Sequence, residues 1–384
     1  MINKDVSWTL AAGDNVNDKL ALIDTIDGAD VVVNLPFDQT QATVYADVDI
    51  DLNVNVINGG SLTVRADGAQ SNPFAITIAV TVDGMTVTNA SLSTAYHGLA
   101  IATGDFKNFR VTVVDDTTDT IGVAVCDDAG ITTSDGGATW DFTFNGAGGT
   151  PLASAPSAAA AIVINGTILT SSAASYVFKC NHGQNVMLQD LMFTNSSARG
   201  VGIFGSESKC YFNRCNSSGN AGRGCFIGSY GHLYSTTASY PVHFCGNGDQ
   251  GVTNFGGSVK ITHSRATRAD TAYIAGNVNN NVYGGTFDSI SSHFYLTGCI
   301  FGYSATAAPS GLYSIKINAN TRGEVYNCFF SWTGTSPADD GMVTVYARNS
   351  SAVKVDASNT TTGGAAIILD NDTDDTKSGG YLLT

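Results

Sequence analysis

Charge is scarce in this 384-residue chain: Asp, Glu, Lys and Arg make up 13% of it, about half the usual share. Glutamate is nearly missing, with only Glu207 and Glu324 beside 31 aspartates. Asp competes with the helix backbone for hydrogen bonds and favours turns, so this bias excludes an α-rich protein. Proline is sparse at 7 residues, whereas glycine reaches 43 and the AVILMFWYC residues 43%. Such a chain has ample material for a core and is not disordered. No run of 18 apolar residues occurs, and the first eight residues hold no apolar segment; neither a membrane span nor an export signal is expected. The eight cysteines include no Cys-x-x-Cys pair, which argues against a zinc site or a thioredoxin-like motif. Buried free thiols made in a reducing cytosol are expected, with a Cys210–Cys215 disulfide as the alternative. There is no Gly-x-Ser-x-Gly elbow and no phosphate loop; Gly200-Val201-Gly202 and Gly222-Arg223-Gly224 read as turns.

Basic residues are few as well, 18 against 33 acidic ones, and the imbalance is one-sided. Residues 1–175 carry 5 Lys/Arg and 20 Asp (5 − 20 = −15), while residues 176–384 carry 13 of each sign and are neutral. The acidic half repels a phosphate backbone and the other half has no basic stripe, so nucleic acid and anionic membrane are not expected partners. Solubility explains the acidity, and no cofactor is implied. Ca2+ held by Asp115, Asp116 and Asp119 is the alternative reading of that acidic loop.

What the chain has in quantity is a short strand pattern with apolar residues two apart, each followed by a turn of Asn, Ser, Gly or Asp. It begins at Leu62, Met85 (23 on) and Val111 (26 on), and resumes at Val186, Cys210 (24), Leu233 (23), Val259 (26) and Val282 (23), with later copies at Val325 and Val353, 28 apart. Spacing of this kind suits a coil of three short strands and three turns per rung, a parallel β-helix whose inward residues form one central core. About a dozen rungs would make a column on the order of 60 Å long. Four segments follow: 1–40, cap and first strand; 41–150, acidic and β-rich; 151–175, a loop of Gly, Ala, Ser and Pro; and 176–384, aromatic-rich rungs holding 26 of the 36 aromatics. Phe212, Phe226, Phe244 and Phe329 are expected inside, and Tyr211, Tyr230, Tyr234 and Tyr273 outside. A stripe of Val16, Leu20, Ile23 and Ile26, after Asp14 or Asn15 as N-cap and before Gly28, predicts a short helix covering the open end.

That entry segment carries a resemblance. Gly13-Asp14-Asn15-Val16-Asn17-Asp18-Lys19-Leu20-Ala21-Leu22-Ile23-Asp24, followed by Ala29-Asp30-Val31-Val32-Val33-Asn34-Leu35-Pro36, resembles the entry of pectate-lyase-like β-helix proteins, including phage tailspikes. The resemblance implies an all-β, right-handed parallel β-helix with a short N-terminal capping helix, and commonly a homotrimer. A second motif, Thr133-Ser134-Asp135-Gly136-Gly137-Ala138-Thr139-Trp140, resembles the Asp-box of sialidase-like β-propellers in Thr133, Asp135, Gly137, Thr139 and Trp140. It implies a structural hairpin, and a single copy does not make a propeller.

Chemistry is harder to place. Glycoside hydrolysis needs two carboxylates facing each other across a sugar, and Asp190, Asp249, Asp270 and Asp288 share no common offset. Aligning Val186, Cys210 and Val259 puts Asp190, Arg214 and His263 in one column, the candidate catalytic residues for a lyase. Arg265, Arg268, Asp270 and Tyr273 follow as candidate carbohydrate-binding residues. The expected role is a phage virion protein, a tailspike, fibre or capsid-surface spike, assembled in the host cytoplasm with other virion proteins and attaching to a bacterial surface polysaccharide. A polysaccharide lyase or glycoside hydrolase is the competing expectation; a surface adhesin is a third.

Overall fold

Alternation decides where each strand sends its side chains. In Asn185–Gln189, Val186 and Leu188 are buried while Asn185 and Met187 are exposed, and Lys209–Asn213, His293–Thr297 and Arg322–Tyr326 repeat the pattern. Stacked one chain turn above another, these strands belong to an eleven-stranded parallel sheet, the first wall, which runs from Val6–Thr9 to Tyr381–Leu383. Two nine-stranded parallel sheets complete the column. The second wall runs from Ala42–Tyr45 through Gly166–Thr170 and Leu191–Thr194 to Thr360–Thr361. The third runs from Ile50–Leu52 through Tyr176–Cys180 and Arg199–Ile203 to Leu369–Asn371. Each turn of the chain visits the three walls in that order, so the molecule is a parallel β-helix.

The computed structural model describes residues 6–11, 14–16, 18, 30–35, 42–45, 48, 50–52, 60–66, 77–82, 85–87, 100–101, 110–114, 120–124, 139–142, 144–145, 158–163, 166–171, 175–181, 183, 185–194, 196–205, 207–235, 242–244, 247–264, 272–275, 277, 279–285, 291–304, 313–318, 320–333, 343–347, 351–361, 369–371 and 381–383. Most of the predicted capping helix lies outside these residues, and no bounded helix occurs among them. What is described of it is a buried Val16 and a bond from the Asp18 N–H to Asn15 Oδ1 at 3.4 Å.

Inside the column the aromatic rings stack along the axis. Phe178, Phe193, Phe212 and Phe244 follow one another with centroids 6.2, 6.3 and 5.4 Å apart, and Phe301 and Phe330 stack at 5.0 Å. Each fully buried ring is worth about 1.5–3 kcal/mol of transfer free energy. Phe212 and Phe244 are therefore where the sequence put them. Phe226 is not: it lies between the buried Cys225 and Ile227 and points outward. Phe330 fills the core next to Phe329, whose side chain is outside the described residues.

The corners explain the turn chemistry. Between the first and second walls the chain bends at one residue in the left-handed region: Asp190 (φ 60°), Arg214 (51°), Gly298 (66°) and Asn327 (46°). Asn and Gly are ordinary there, whereas Asp and Arg are held by their contacts. Between the second and third walls, Asn220, Asn247 and Asn277 stack in a buried ladder. Asn247 Oδ1 accepts from the Asn220 backbone N–H at 3.1 Å, and Asn277 Oδ1 accepts from that of Asn247 at 3.0 Å. Side-chain amides repeat both links, at 3.0 and 2.9 Å.

One stretch leaves the column. Ser61–Ala66 pairs directly with Asn185–Gln189, and the chain between residues 66 and 166 contributes instead to two four-stranded antiparallel sheets. Met85–Val87 and Arg110–Val114, expected as rungs, belong to these sheets. Their period-2 pattern is the same in antiparallel and parallel strands, so spacing alone does not distinguish a rung from a hairpin strand. Val282 is a rung residue of the third wall, paired with Val252 and Ile315, not a continuation of the Val259 column. Ala158–Val163 and Gly166–Thr170 are strands within the stretch expected as a loop. Thr139 and Trp140 of the Asp-box-like motif pair with Ala161 and Ala160; Thr133, Asp135 and Gly137 lie outside the described residues, as do Asp115, Asp116 and Asp119.

Cys180, Cys210, Cys215, Cys225, Cys299 and Cys328 are free and buried, which removes the Cys210–Cys215 disulfide. Burial pushes the thiols of Cys180 and Cys215 up to about 12, and those of Cys210, Cys225 and Cys299 upward as well. Thiolate is the reactive form. Titration of the native protein with an aromatic disulfide at pH 8 should therefore find at most 8 − 6 = 2 reactive thiols, and all eight after unfolding. Three or more fast-reacting native thiols would contradict this packing.

Candidate functional site

The column predicted from the first-wall alignment exists. Val186 pairs with Cys210, Cys210 with Leu233 and Leu233 with Val259, which sets Arg214 one rung beyond Asp190 and His263 two rungs beyond Arg214. Arg214 Nη2 donates to Asp190 Oδ2 at 2.6 Å and its Nε lies against Oδ1, while Gln189 Nε2 donates to Oδ2 at 3.1 Å. Burial pushes the Asp190 carboxyl up more than these hydrogen bonds pull it down. Asp190 is 0% exposed, so its charge is spent on Arg214 and not on a substrate. His263 is also buried, with Nε2 2.9 Å from Ser235 Oγ. Two rungs separate it from Arg214, about 10 Å, so the three side chains do not converge on one point. Arg265, Arg268 and Asp270 lie outside the described residues; Tyr273 is described only as a backbone position paired with His243 and Ile300.

The outer face of the third wall carries a feature that the sequence reading missed. Five rings form a continuous strip along the axis: Tyr176–Phe204 at 5.5 Å, Phe204–Phe226 at 5.4 Å, Phe226–Phe255 at 5.7 Å and Phe255–Tyr283 at 5.5 Å between centroids. Rings and small residues alternate like a checkerboard in successive strands: Gly202 with Phe204, Phe226 with Gly228, Thr253 with Phe255, Tyr283 with Gly285. A Cβ on Gly202 would come within 2.6 Å of Tyr176 and 2.7 Å of Phe204, and one on Gly228 within 2.5 Å of Phe204. The glycines are thus what lets the rings lie down on the sheet.

Guanidinium groups are set into this strip. The Arg199 Cζ is 5.1 Å from the centroids of both Tyr176 and Phe226, and Nη1 donates to Tyr176 Oη at 2.6 Å. Burial raises the Tyr176 phenol above its ordinary value, against the pull of Arg199, so it stays protonated. Arg223 lies 5.2 Å from Phe226 and 5.9 Å from Phe255; its Nε donates to Asp249 Oδ2 at 3.1 Å and Gln250 Oε1 at 2.7 Å. Asn279 Nδ2 donates to Asp249 Oδ1 at 2.6 Å. Flat apolar rings rimmed by hydrogen-bonding groups provide the two things a sugar ring needs, a surface for its C–H face and partners for its hydroxyls. The signal was present as Gly-x-Phe at 202–204 and Phe-x-Gly at 226–228, one rung apart.

The first wall's outer face is a looser version of the same kind of surface. Tyr211 and Tyr234 stack at 5.1 Å and Tyr295 lies 5.7 Å from Tyr326, with Lys260 and Lys354 over the latter two rings at 5.9 and 5.2 Å. Tyr211, Tyr230 and Tyr234 face outward, as expected from the sequence. Among the described residues no three His, Cys, Asp or Glu side chains come together to hold a metal ion, and no helix is long and apolar enough to cross a membrane. No protein-family model matches the chain, and no curated protein matches it either.

Proposed function

We propose that the chain is the shaft of a phage-type virion protein, a tailspike, fibre or capsid-surface spike, which attaches to a bacterial surface polysaccharide along its lateral wall. In this reading the column is right-handed, of the pectate-lyase-like kind, closed by a helix after Asn15 and assembled as a homotrimer with other virion proteins as neighbours. The observation that carries it is the five-ring strip on the third wall. A rigid flat pavement several rungs long suits a polymer lying along the axis, because the repeat of the shaft, about 4.8 Å per rung, is close to the length of one sugar unit. Rings and guanidiniums already held in place lose little side-chain freedom on binding.

Attachment without cleavage is the form of the proposal that the Asp190–Arg214–His263 column supports, since its carboxylate is enclosed and its histidine two rungs away. The test is calorimetric titration of the full chain with oligosaccharides from host capsule and lipopolysaccharide, with reducing ends and unsaturated products followed in parallel. Saturable binding without new ends is expected, and Phe226→Ala should weaken it about tenfold, the loss of one stacked ring at about 1–1.5 kcal/mol. Steady release of shorter products by the wild type would replace attachment with the lyase or hydrolase reading. Light scattering checks the trimer; a monomer would remove it.

A further inference from the structure

Arg199 differs from the other guanidiniums of this region. Arg214 is paired with Asp190 and Arg223 with Asp249, but among the described residues no carboxylate pairs with Arg199. The half of the chain in which it lies, residues 176–384, carries 13 charges of each sign. The Arg199 Cζ lies 5.1 Å from the centroids of two rings, and Tyr176 Oη takes one of the five guanidinium N–H donors. The group is partly exposed at the edge of the strip. A guanidinium that is charged, oriented and short of an anion matches a carboxylate in geometry as well as in sign, because the fork binds both oxygens together. The Tyr176 phenol accepts from Arg199, which leaves its own O–H to donate to the same anion.

We infer that the strip takes an acidic saccharide, with the uronic acid carboxylate received by Arg199 and Tyr176 and the face of the sugar ring laid on Phe204 and Phe226. Gly202 is part of this site, since any side chain there would displace the Tyr176 and Phe204 rings. The inference rests on the attachment reading for the saccharide and adds to it the charge class and the residue that selects it. Arg199 is then the specificity-determining residue, and Phe204 and Phe226 the floor that acidic and neutral sugars share.

The experiment uses the full-length chain and a matched pair of probes: oligosaccharides of alternating glucuronic acid and N-acetylglucosamine, and the same oligosaccharides with their carboxyl groups reduced to alcohols. The wild type should bind the acidic form at least about tenfold more tightly, as a charge-assisted bidentate contact implies, with the preference shrinking as salt rises. Arg199→Gln should bring the acidic form down to the level of the reduced one, and Arg199→Lys should restore only part of the preference because it keeps the charge and loses the fork. Gly202→Ala should weaken both probes alike. Circular dichroism and melting temperature confirm that each variant is folded. Equal binding of the two probes, or a preference that survives Arg199→Gln, overturns the inference and leaves attachment standing. If neither probe nor any neutral host glycan binds, attachment itself falls. If Arg199→Gln changes the molecular mass in light scattering, the strip is a contact between copies of the chain and the inference is likewise overturned.

Discussion

Arg214→Met should destabilise the shaft by about 3–5 kcal/mol at pH 7, the usual consequence of leaving one member of a buried ion pair behind. Asp190 is 0% exposed, and Arg214 supplies both the donor to its Oδ2 and the neighbour of its Oδ1. Methionine has a similar volume and adopts the left-handed corner no better and no worse than arginine, so the backbone strain at φ 51° is common to both proteins. The difference then reports the orphaned carboxylate. Its pKa, already raised by burial, climbs further once the two lowering influences of Arg214 are gone. A raised folded-state pKa means that the protonated form is the stable one. The contribution is fully present below the unfolded value, about 3.9, and is lost as pH rises through the folded value. The deficit of Arg214→Met should therefore shrink between pH 7 and pH 5, and adding Asp190→Asn, which is neutral and tolerates the left-handed region, should recover much of it at pH 7. Urea unfolding at the two pH values measures both effects. A deficit below about 1 kcal/mol at pH 7, or one indifferent to pH, would show that the pair is not what holds this corner.

The Asp190–Arg214 pairing could be read from the sequence because the first wall alternates cleanly. Val186, Cys210, Leu233 and Val259 fall in register residue for residue, and the corner follows four residues later. The third-wall strip could not be read in the same way. Its rings are joined only through strands that lie a whole chain turn apart, and the first-wall step lengthens from 26 residues between Leu233 and Val259 to 35 between Val259 and Phe294. Phe226 shows a different failure. Cys225 and Ile227 on either side of it are core residues, so alternation sends it outward against the general tendency of aromatics to be buried. The antiparallel excursion between residues 66 and 166 was invisible for a third reason, since a two-residue period carries no information on strand direction.

The asparagine ladder is the other place where a single change should have a large effect. Asn247 is 0% exposed, and its side chain works in both directions along the axis. Oδ1 accepts from the Asn220 backbone and amide at 3.1 and 3.0 Å, and Nδ2 donates to Asn277 Oδ1 at 2.9 Å and Ser217 O at 3.3 Å. Asn247→Leu keeps the size and removes all four bonds, leaving the Asn220 N–H and the Ser217 carbonyl with a partner lost in a dry corner. At about 1–3 kcal/mol per buried group left unsatisfied, the expected loss is about 3–5 kcal/mol. Asn247→Asp separates the two directions. It can still accept from Asn220 but, when ionised, cannot donate and turns a charge toward Asn277 Oδ1; protonation restores a donor. Buried without a cation, that carboxyl has a raised folded-state pKa, so its stability is present at low pH and lost on going up through the folded value. Asn247→Asp should consequently resemble wild type more closely at pH 5 than at pH 7, whereas Asn247→Leu should be equally impaired at both. Because each rung contacts chiefly its neighbours, amide exchange should accelerate first between Ser196 and Asn277 and spare the Phe301–Phe330 rungs. Uniform acceleration along the whole column, or an Asn247→Leu protein as stable as the wild type, would mean that the ladder only accompanies the strand pairing and does not fix the corner.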